Sequence, residues 1–312
     1  MWFINQLFQF FFFIDYEVTN FSPLKFPNFT PMKNALKNIR LVATDLDGTF
    51  LKGDHSISAN NMEALHRLGS NNITRVAATG RNLRKVKDVL SAETPFDFIV
   101  YSSGAGIFDW KTQQQVYFQN IGKNSVKKLM NTFIGKNLNF HAFFPAPENH
   151  LHWYHRGGEH CEEFERYFAF NNHFATELIP LSFPETELCQ FLVIIPEVEN
   201  QFQQLKSEIE AICPEIRVIR SSSPITKGYI WIEIFHHSVS KGNGVKHICG
   251  LLNINRNETL GLGNDYNDFD LLEFTGHSFL TENSPAEIKH LYPNVPSNEN
   301  DAFAKAIQPI VG

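Results

Sequence analysis

"IRLVATDLDGTFL", Ile39 to Leu51, runs from a short apolar stretch directly into two acids, a glycine and a threonine. The apolar part has the composition of a buried strand. Alternate residues of an extended segment point the same way, so the carboxylates of Asp45 and Asp47 face one side. Gly48 allows the chain to turn sharply behind them. The stretch therefore predicts a strand that ends in a close pair of carboxylates.

The chain after this strand alternates between helix-like and strand-like patterns. Apolar residues stand at helical spacing in "NNMEALHRLGS" (60–70) and "NLRKVKDVL" (82–90), and apolar runs occupy "ITRVAATG" (73–80) and "DFIVYSSG" (97–104). Strands that alternate with helices of about ten residues indicate parallel βαβ units. The loops at the carboxyl ends of such strands form the ligand site. We predict an α/β fold with a doubly wound, Rossmann-like core on a parallel sheet.

The middle of the chain has a different pattern of apolar residues. Amphipathic stretches such as "CEEFERYFAF" are mixed with strand-like runs such as "CQFLVIIP" and "EIRVIRS", which is typical of an α+β unit with its own core. The run "GYIWIEIF" then reads as a return to the first core. We predict a core domain over 32–120 and 221–312, with an inserted α+β cap domain over 121–220.

The first thirty-one residues do not fit this pattern. "FINQLFQFFFFI" (3–14) is apolar, but no Lys or Arg precedes it and it is shorter than the roughly 20 residues that span a bilayer. A proline-containing stretch without periodicity follows, and Met32 then opens the segment before the first strand. We expect translation to begin at Met32 and residues 1–31 to be a non-native or disordered extension.

Composition limits the class of protein. The 312 residues are 43% hydrophobic and 19% charged, with a net charge of -6 and no long basic run, which argues against nucleic-acid or anionic-membrane partners. Two domains are expected at roughly 100 to 200 residues each. Four widely spaced cysteines without a CxxC pair suggest neither a zinc ribbon nor a redox dithiol, and a reducing compartment fits them. We expect a cytoplasmic monomer or homodimer.

The paired carboxylates of Asp45 and Asp47 carry a chemical implication of their own. Like charges held this close repel each other unless a cation lies between them or one is protonated. A hard, oxygen-seeking ion such as Mg²⁺ relieves this repulsion. A DxD pattern alone is common in surface loops, so the interpretation depends on the rest of the chain.

Four segments in order resemble the motifs of the haloacid dehalogenase superfamily of phosphohydrolases. They are "DLDGT" (45–49), "VAATGR" (76–81), "VSKGNGV" (239–245) and "GLGNDYNDFDLL" (261–272). The α+β insert between the second and third motifs is similar to the cap of the Cof-type branch. The resemblance covers nearly the whole chain from Ile39 onward, and it is weaker in the insert.

This resemblance implies roles for particular residues. It makes Asp45 the nucleophile, Asp47 the general acid and base, Thr79 a ligand of the phosphoryl oxygens and Lys241 the neutralising charge. The residues that it implies for binding phosphate or substrate are Leu46, Gly48, Thr49, Gly80, Arg81 and Asn267. The implied cofactor is Mg²⁺, with Asp45, Asp47, Asn264 and Asp268 as its ligands and Asp265 as an alternative.

The fourth motif departs from the usual G-D-x-x-N-D, because Gly263 is followed by Asn264. An Asn carbonyl oxygen can ligate Mg²⁺ but contributes no formal charge, so we expect weaker affinity for the ion. The alternatives are that Asp265 turns toward the metal or that Asp268 binds it directly.

The expected function is Mg²⁺-dependent removal of phosphate from small phosphorylated metabolites, sugar phosphates above all, through an aspartyl-phosphate. A phosphomutase of the same fold is one alternative, and a catalytically impaired binding or regulatory protein is another, motivated by Asn264. In the insert, "ENHLHWYHRGGEH" (148–160) raises a separate hypothesis. His150 and His152 would share a face of a strand and could hold a transition metal, although no acid or cysteine completes a familiar spacing.

Overall fold

The computed structural model describes residues 36–180, 183, 185–223 and 225–311, so the predicted extension over 1–31 lies outside the described residues. The strands are β1 (Leu41–Thr44), β2 (Thr74–Ala78), β3 (Phe98–Tyr101), β4 (Gly106–Asp109), β5 (Gln114–Phe118), β6 (Phe140–Phe143), β7 (His152–His155), β8 (Ala175–Glu177), β9 (Gln190–Pro196), β10 (Ile216–Ser222), β11 (Tyr229–His236), β12 (Thr259–Gly263), β13 (His277–Thr281) and β14 (Asn294–Val295). The α-helices are α1 (Ala59–Ser70), α2 (Leu83–Val89), α3 (Lys123–Gly135), α4 (Glu162–Asn171), α5 (Gln201–Ile212), α6 (Lys241–Leu252), α7 (Phe269–Phe274) and α8 (Ala302–Val311). Among the described helices, none has both the length and the apolar character that a membrane crossing requires.

The first sheet has the strand order β14-β13-β12-β1-β2-β3-β4-β5. The six strands from β14 to β3 run parallel, and β4 and β5 add an antiparallel edge. From β1 the chain proceeds to β2 and β3 on one side, and it later returns on the other side as β12 and β13. The reversal of strand order therefore lies beside β1, where ligands of such sheets bind at the carboxyl ends of the strands.

Helices cover both faces of this sheet. On one face, Val42 of β1 belongs to an apolar cluster with Leu65 of α1 and Phe303 of α8. On the other face, Leu41 packs in a cluster with Val245 of α6. Each such buried side chain contributes about 1.5–3 kcal/mol to folding. The predicted α/β fold with a doubly wound core is confirmed.

The second sheet has the order β10-β11-β9-β6-β7-β8 and is mainly antiparallel. Helices α3 and α5 pack on one of its faces through a separate apolar cluster. This is the α+β insert that the sequence predicts. The placement of β11 in the first core is wrong, because β11 pairs with β9 and β10 in the second sheet. We therefore move the boundary from residue 221 to a point after His236.

The four cysteines, all within the described part of the chain, are buried and free. Burial raises the pKa of Cys189 to about 12 and that of Cys249 to about 11. Thiolates form less readily at such sites.

The second sheet buries two histidines among aromatic rings. His141 stacks on Phe164 with ring centres 4.5 Å apart, and the His152 ring centre lies 5.0 Å from that of His141. Neither ring nitrogen of His141 has a hydrogen-bond partner among the described residues. Burial lowers the pKa of His141 well below the ordinary value of 6.5, and it lowers the pKa of His152 to about 4. Both rings are therefore neutral in the folded protein near neutral pH.

These two histidines predict a loss of stability in acid. The unfolded chain takes up protons below about pH 6.5, whereas the folded protein resists them, so the stability is complete above that pH. We expect the free energy of unfolding to fall by up to about 1.4 kcal/mol per pH unit for each histidine as the pH drops toward 4. Urea unfolding above and within this window measures the slope. His141→Phe should flatten it, and the exposed control His66→Phe should not. An unchanged slope in His141→Phe would contradict the assignment.

Candidate active site

Residues from the four sequence motifs meet at the carboxyl edge of the first sheet. Asp45 follows β1, Thr79 follows β2, Asn264 follows β12, and Lys241 is the first residue of α6. Because β1 pairs in parallel with both β2 and β12, the three strand ends lie side by side. The loops thus converge although up to about two hundred residues separate them in the sequence.

Lys241 joins two of the acids in the interior. Its Nζ donates to Asp45 Oδ1 at 2.7 Å and to Asp268 Oδ1 at 2.6 Å. The hydroxyl of Ser240 caps the helix by accepting the N–H of Asn243 at 3.0 Å, which fixes where α6 begins. Burial by itself lowers the pKa of Lys241, but the carboxylates of Asp268 and Asp45 raise it above its ordinary value. The ammonium therefore stays charged.

Asp45 is nearly inaccessible to solvent. Burial raises the pKa of its carboxyl group, Lys241 opposes this, and the nearby carboxylates of Asp268 and Asp47 reinforce it. Positive charge brought close to Asp45 would favour its ionised form.

Asp268 organises the turn of the fourth motif. Its Oδ2 accepts the backbone N–H of Asn264 at 2.7 Å and that of Asp265 at 3.0 Å, while its Oδ1 is bound to Lys241. Asp265 in turn accepts the N–H of Tyr266 at 2.8 Å and caps a short 3-10 turn. Since both oxygens of Asp268 are engaged, we regard it as a positioning residue, not as the direct metal ligand that the resemblance implies.

The side chain of Asn264 reaches into the pair of acids on the first motif. One end of its amide lies 2.9 Å from the carbonyl oxygen of Asp47, 2.9 Å from Thr49 Oγ1 and 3.2 Å from Asp45 Oδ2. Gly48 has a φ of +75°, and a Cβ there would lie 2.6 Å from Asn264 Nδ2. Both the backbone conformation and the close contact therefore require glycine at this position.

These oxygens fit a hard divalent cation. A carboxylate, a backbone carbonyl and an amide carbonyl are the ligand types that Mg²⁺ takes in proteins. Asp47 would contribute its main chain, because its carboxylate is bound elsewhere. No group of three or more His, Cys, Asp or Glu side chains suited to a metal occurs in the described residues. The hypothesis of a transition metal at His150 and His152 required both residues to lie on one strand, but β7 begins only at His152.

Asp47 is held by a bidentate ion pair at the opening of the site. Arg81 Nε and Nη2 donate to the two carboxylate oxygens of Asp47 at 2.7 Å and 2.6 Å. His55 Nδ1 lies 3.1 Å from Arg81 Nη2 and 3.5 Å from Asp47 Oδ1. The Asp47 side chain is 43% exposed, against 6% for Asp45. Asp47 is thus the more exposed of the two acids, and His55 is a neighbour that the motifs do not reveal.

The second motif lies against the loop after β3. Thr79 is buried, its hydroxyl accepts the N–H of Arg81 at 3.1 Å, and its carbonyl accepts the N–H of Ser103 at 2.9 Å. A Cβ at Gly80 would lie 3.6 Å from Ser103 Oγ and 3.8 Å from Asn267 Nδ2. Gly80, Asn267 and Ser103 thus line one side of the site, and Ser103 is an addition to the predicted set.

Two residues that the resemblance assigns to phosphate binding have fully buried side chains. Leu46 packs in the apolar core, so only its backbone can face a phosphate. Thr49 places its hydroxyl on Asn264 at 2.9 Å. We therefore assign Thr49 to the support of Asn264 and not to the phosphate.

The second sheet contributes a buried acid, Glu233 of β11. Its Oε1 accepts from Ser221 Oγ at 2.7 Å and its Oε2 from Ser103 Oγ at 3.4 Å, which connects the cap to the second-motif side of the site. Burial raises the pKa of Glu233, and the Ser221 hydrogen bond and the Lys241 charge oppose this. The sequence does contain a signal for it, since a single acid interrupts the apolar run "YIWIEIF".

The cap also contacts the loop of the fourth motif. Arg217 of β10 forms an ion pair with Asp270, and the guanidinium of Arg220 lies 4.9 Å from the ring centre of Tyr266. On the core side, Gly242 lets α6 approach the start of α7, because a Cβ there would lie 2.2 Å from the Asp270 carbonyl oxygen. The fourth motif is thus held between the cap and α6.

Comparison with known proteins agrees with this geometry. Residues 42–307 match the family of haloacid dehalogenase-like hydrolases. A putative phosphatase from Buchnera aphidicola subsp. Baizongia pistaciae is 25% identical over 279 residues, which cover 86% of this chain and 97% of that protein. A solved phosphatase of the haloalkanoate (HAD) superfamily from Bacteroides thetaiotaomicron shares the fold with a TM-score of 0.71, at 16% identity over 92% of this chain and 98% of its own. A solved HAD subclass IIB sugar phosphatase gives a TM-score of 0.66 at 18% identity, covering 86% of this chain and 98% of its own.

Sequence and structure lead to the same assignment. The four motifs stand in order, their residues share one edge of a doubly wound sheet, and the α+β insert lies between the second and third motifs. The chain belongs to the haloacid dehalogenase-like hydrolases, in the Cof-type branch that carries an α+β cap at this position.

Proposed function

We propose that the protein is a Mg²⁺-dependent phosphatase that acts on small phosphorylated metabolites through an aspartyl-phosphate. One observation supports this above the others. Buried Asp45 has one carboxylate oxygen on the ammonium of Lys241 and the other 3.2 Å from the Asn264 amide, which also contacts the Asp47 carbonyl oxygen. A carboxylate oriented between two sites for positive charge is suited to attack an anionic phosphate. The relative from Buchnera aphidicola, named a putative phosphatase, supports the same reaction.

Each step of the reaction has a residue in reach. The Asp45 carboxylate attacks phosphorus, the P–O bond to the leaving alcohol breaks, and Asp47 donates a proton to that oxygen. Water then attacks the phosphorus of the aspartyl-phosphate, Asp47 takes a proton from the water, and orthophosphate leaves with Asp45 restored. Lys241 holds Asp45 throughout. Mg²⁺, when bound, would neutralise charge between Asp45 and the phosphate.

Arg81 connects substrate binding to this chemistry. It is bound to both oxygens of Asp47, and a guanidinium binds phosphate with the same fork geometry. A phosphate that attracts Arg81 would release Asp47 for proton transfer. Arg81 therefore belongs to the phosphate side of the site in our assignment.

The cap favours a leaving group that carries hydroxyls. Glu233 and the hydroxyls of Ser103 and Ser221 form a polar cluster between the cap and the core, next to Gly80. Such groups can donate and accept hydrogen bonds with a polyol. We propose sugar phosphates as the substrate class, and the solved relative named a sugar phosphatase supports this choice.

Phosphate release from p-nitrophenyl phosphate and from a panel of sugar phosphates tests the proposal. We expect turnover with Mg²⁺ and a loss of at least about 10²-fold in EDTA, because the cation supplies several kcal/mol of charge stabilisation. Equal rates in both conditions would contradict metal dependence. Turnover that requires a sugar bisphosphate activator would indicate a phosphomutase, and no turnover on any compound would indicate a binding protein.

A further inference from the structure

The two ends of the Asn264 amide have opposite surroundings: hydrogen-bond acceptors predominate at one end, and the other end faces donors. The first end lies 2.9 Å from the Asp47 carbonyl oxygen and 3.2 Å from Asp45 Oδ2. The carbonyl oxygen is always an acceptor, and the carboxylate oxygen is an acceptor whenever Asp45 is ionised. The third neighbour, Thr49 Oγ1 at 2.9 Å, is the one that can either donate or accept. The chemistry at this position therefore depends on which end of the amide occupies it.

The two orientations of the amide, related by a half-turn, have opposite requirements. With Nδ2 at this position, the amide donates toward Asp45, Asp47 and Thr49, so every contact is a hydrogen bond. With Oδ1 there, the oxygen faces two other acceptors and gains a single hydrogen bond, from Thr49, while Nδ2 at the other end faces only donors. Crowded oxygens of this kind repel one another unless a cation lies between them.

We propose that Asn264 is a cation-responsive amide. Without a divalent cation, its Nδ2 donates to Asp45 and Asp47 and holds the two loops together. When the cation binds, the side chain makes a half-turn and presents Oδ1 as a ligand. The inference rests on the proposed function in one respect, since it uses the same cation site.

The surroundings confine this change to the side chain. Asp268 Oδ2 holds the backbone N–H of Asn264 at 2.7 Å in either orientation. Gly48 leaves space beside the other end of the amide, where any side chain would collide with it. The amide nitrogen and oxygen are nearly equal in size, so the half-turn needs no repacking.

An aspartate at this position would behave differently. A carboxylate has no N–H to donate, and its charge would lie about 3.2 Å from the Asp45 carboxylate. Without a cation the two charges repel, whereas with a cation the added charge strengthens binding. Compared with aspartate, asparagine therefore binds the metal less tightly, but it keeps the shape of the site when the metal is absent.

The Asn264→Asp variant tests this exchange through stability and binding. We expect it to melt at a lower temperature than the wild type in EDTA. In isothermal titration it should bind Mg²⁺ at least about tenfold more tightly. Asn257→Asp is the matched control, because it adds the same charge before β12, at the strand end opposite Asn264, and it should change neither property. Equal melting temperatures in EDTA, or equal Mg²⁺ affinities, would overturn the inference.

The wild-type protein provides a second measurement that does not depend on how the variant folds. The side-chain amide resonances of Asn264, assigned by their absence in Asn264→Ala, should shift saturably when Mg²⁺ is titrated in. Resonances that stay in place while Mg²⁺ binds would overturn the proposed half-turn. A protein that meets these expectations yet releases no phosphate would refute the proposed function alone.

Discussion

Replacing Asp45 with Asn is expected to lower the rate of phosphate release by about 10³-fold or more, because an amide is not a competent nucleophile. The substitution keeps the shape of the side chain, and its Oδ1 can still accept the Lys241 Nζ–H now found at 2.7 Å. The fold should therefore persist. Steady-state release of phosphate from an aryl phosphate in Mg²⁺ measures the effect.

Asp88→Asn is the matched control for this experiment. Asp88 is an exposed acid on α2, and the same change of charge there should leave the rate near that of the wild type. Circular dichroism of both variants checks that folding is preserved. If Asp45→Asn turned over at a rate close to the wild type, Asp45 would not be the nucleophile.

Replacing Lys241 with Met is expected to damage stability and activity together. The ammonium binds two buried carboxylates, those of Asp45 and Asp268, at 2.7 Å and 2.6 Å. Removing one partner of a buried ion pair leaves uncompensated charge and costs about 3–5 kcal/mol. The turn of the fourth motif should also loosen, because Asp268 anchors it. Urea unfolding and phosphate release measure the two effects.

Lys246→Met separates this effect from the loss of any lysine on α6. Lys246 is exposed on the same helix, so the variant should unfold and turn over like the wild type. Stability that is unchanged in Lys241→Met would show that the two carboxylates do not depend on the ammonium. Loss of activity without loss of stability would assign Lys241 to charge neutralisation alone.

The cap contacts both the second and the fourth motif. Arg217 of β10 pairs with Asp270 at the start of α7, the helix that follows the loop of Asn264, and Glu233 of β11 contacts Ser103 beside the second motif. Under the proposed function, a substrate that contacts the cap would touch elements that also position Asp45 and Asn264. We therefore expect the natural substrate among compounds that can form hydrogen bonds with Glu233, Ser103 and Ser221.

The catalytic edge was predictable because its signals are local. A few neighbouring residues are enough to predict each of its parts: the strand before "DLDGT", the strand before "ATGR" and the start of the helix at Lys241. Parallel strands bring their carboxyl ends together, so the order of the motifs was enough to expect Asp45, Thr79, Lys241 and Asn264 at one edge. The residue type at position 264 also raised the question of a weakened metal site.

Other features depended on contacts between distant parts of the chain. The run "GYIWIEIF" identifies a strand, but its apolar pattern cannot say which sheet it joins, and β11 pairs with β9 and β10. The spacing of residues in the sequence likewise does not predict that both oxygens of Asp268 accept hydrogen bonds, or that Asp47 forms an ion pair with Arg81.

Residue type and periodicity are local properties, so the order of residues along the chain is enough to predict the chemistry that each strand end can offer. Which of those groups remain available depends on contacts that form only in the folded protein. Lys241 and Asp268 bind each other, Thr49 turns to Asn264, and the Asn264 amide lies between Asp45 and the carbonyl of Asp47. Hydrogen-bond partners are chosen by distance in space, and the folded backbone sets that distance.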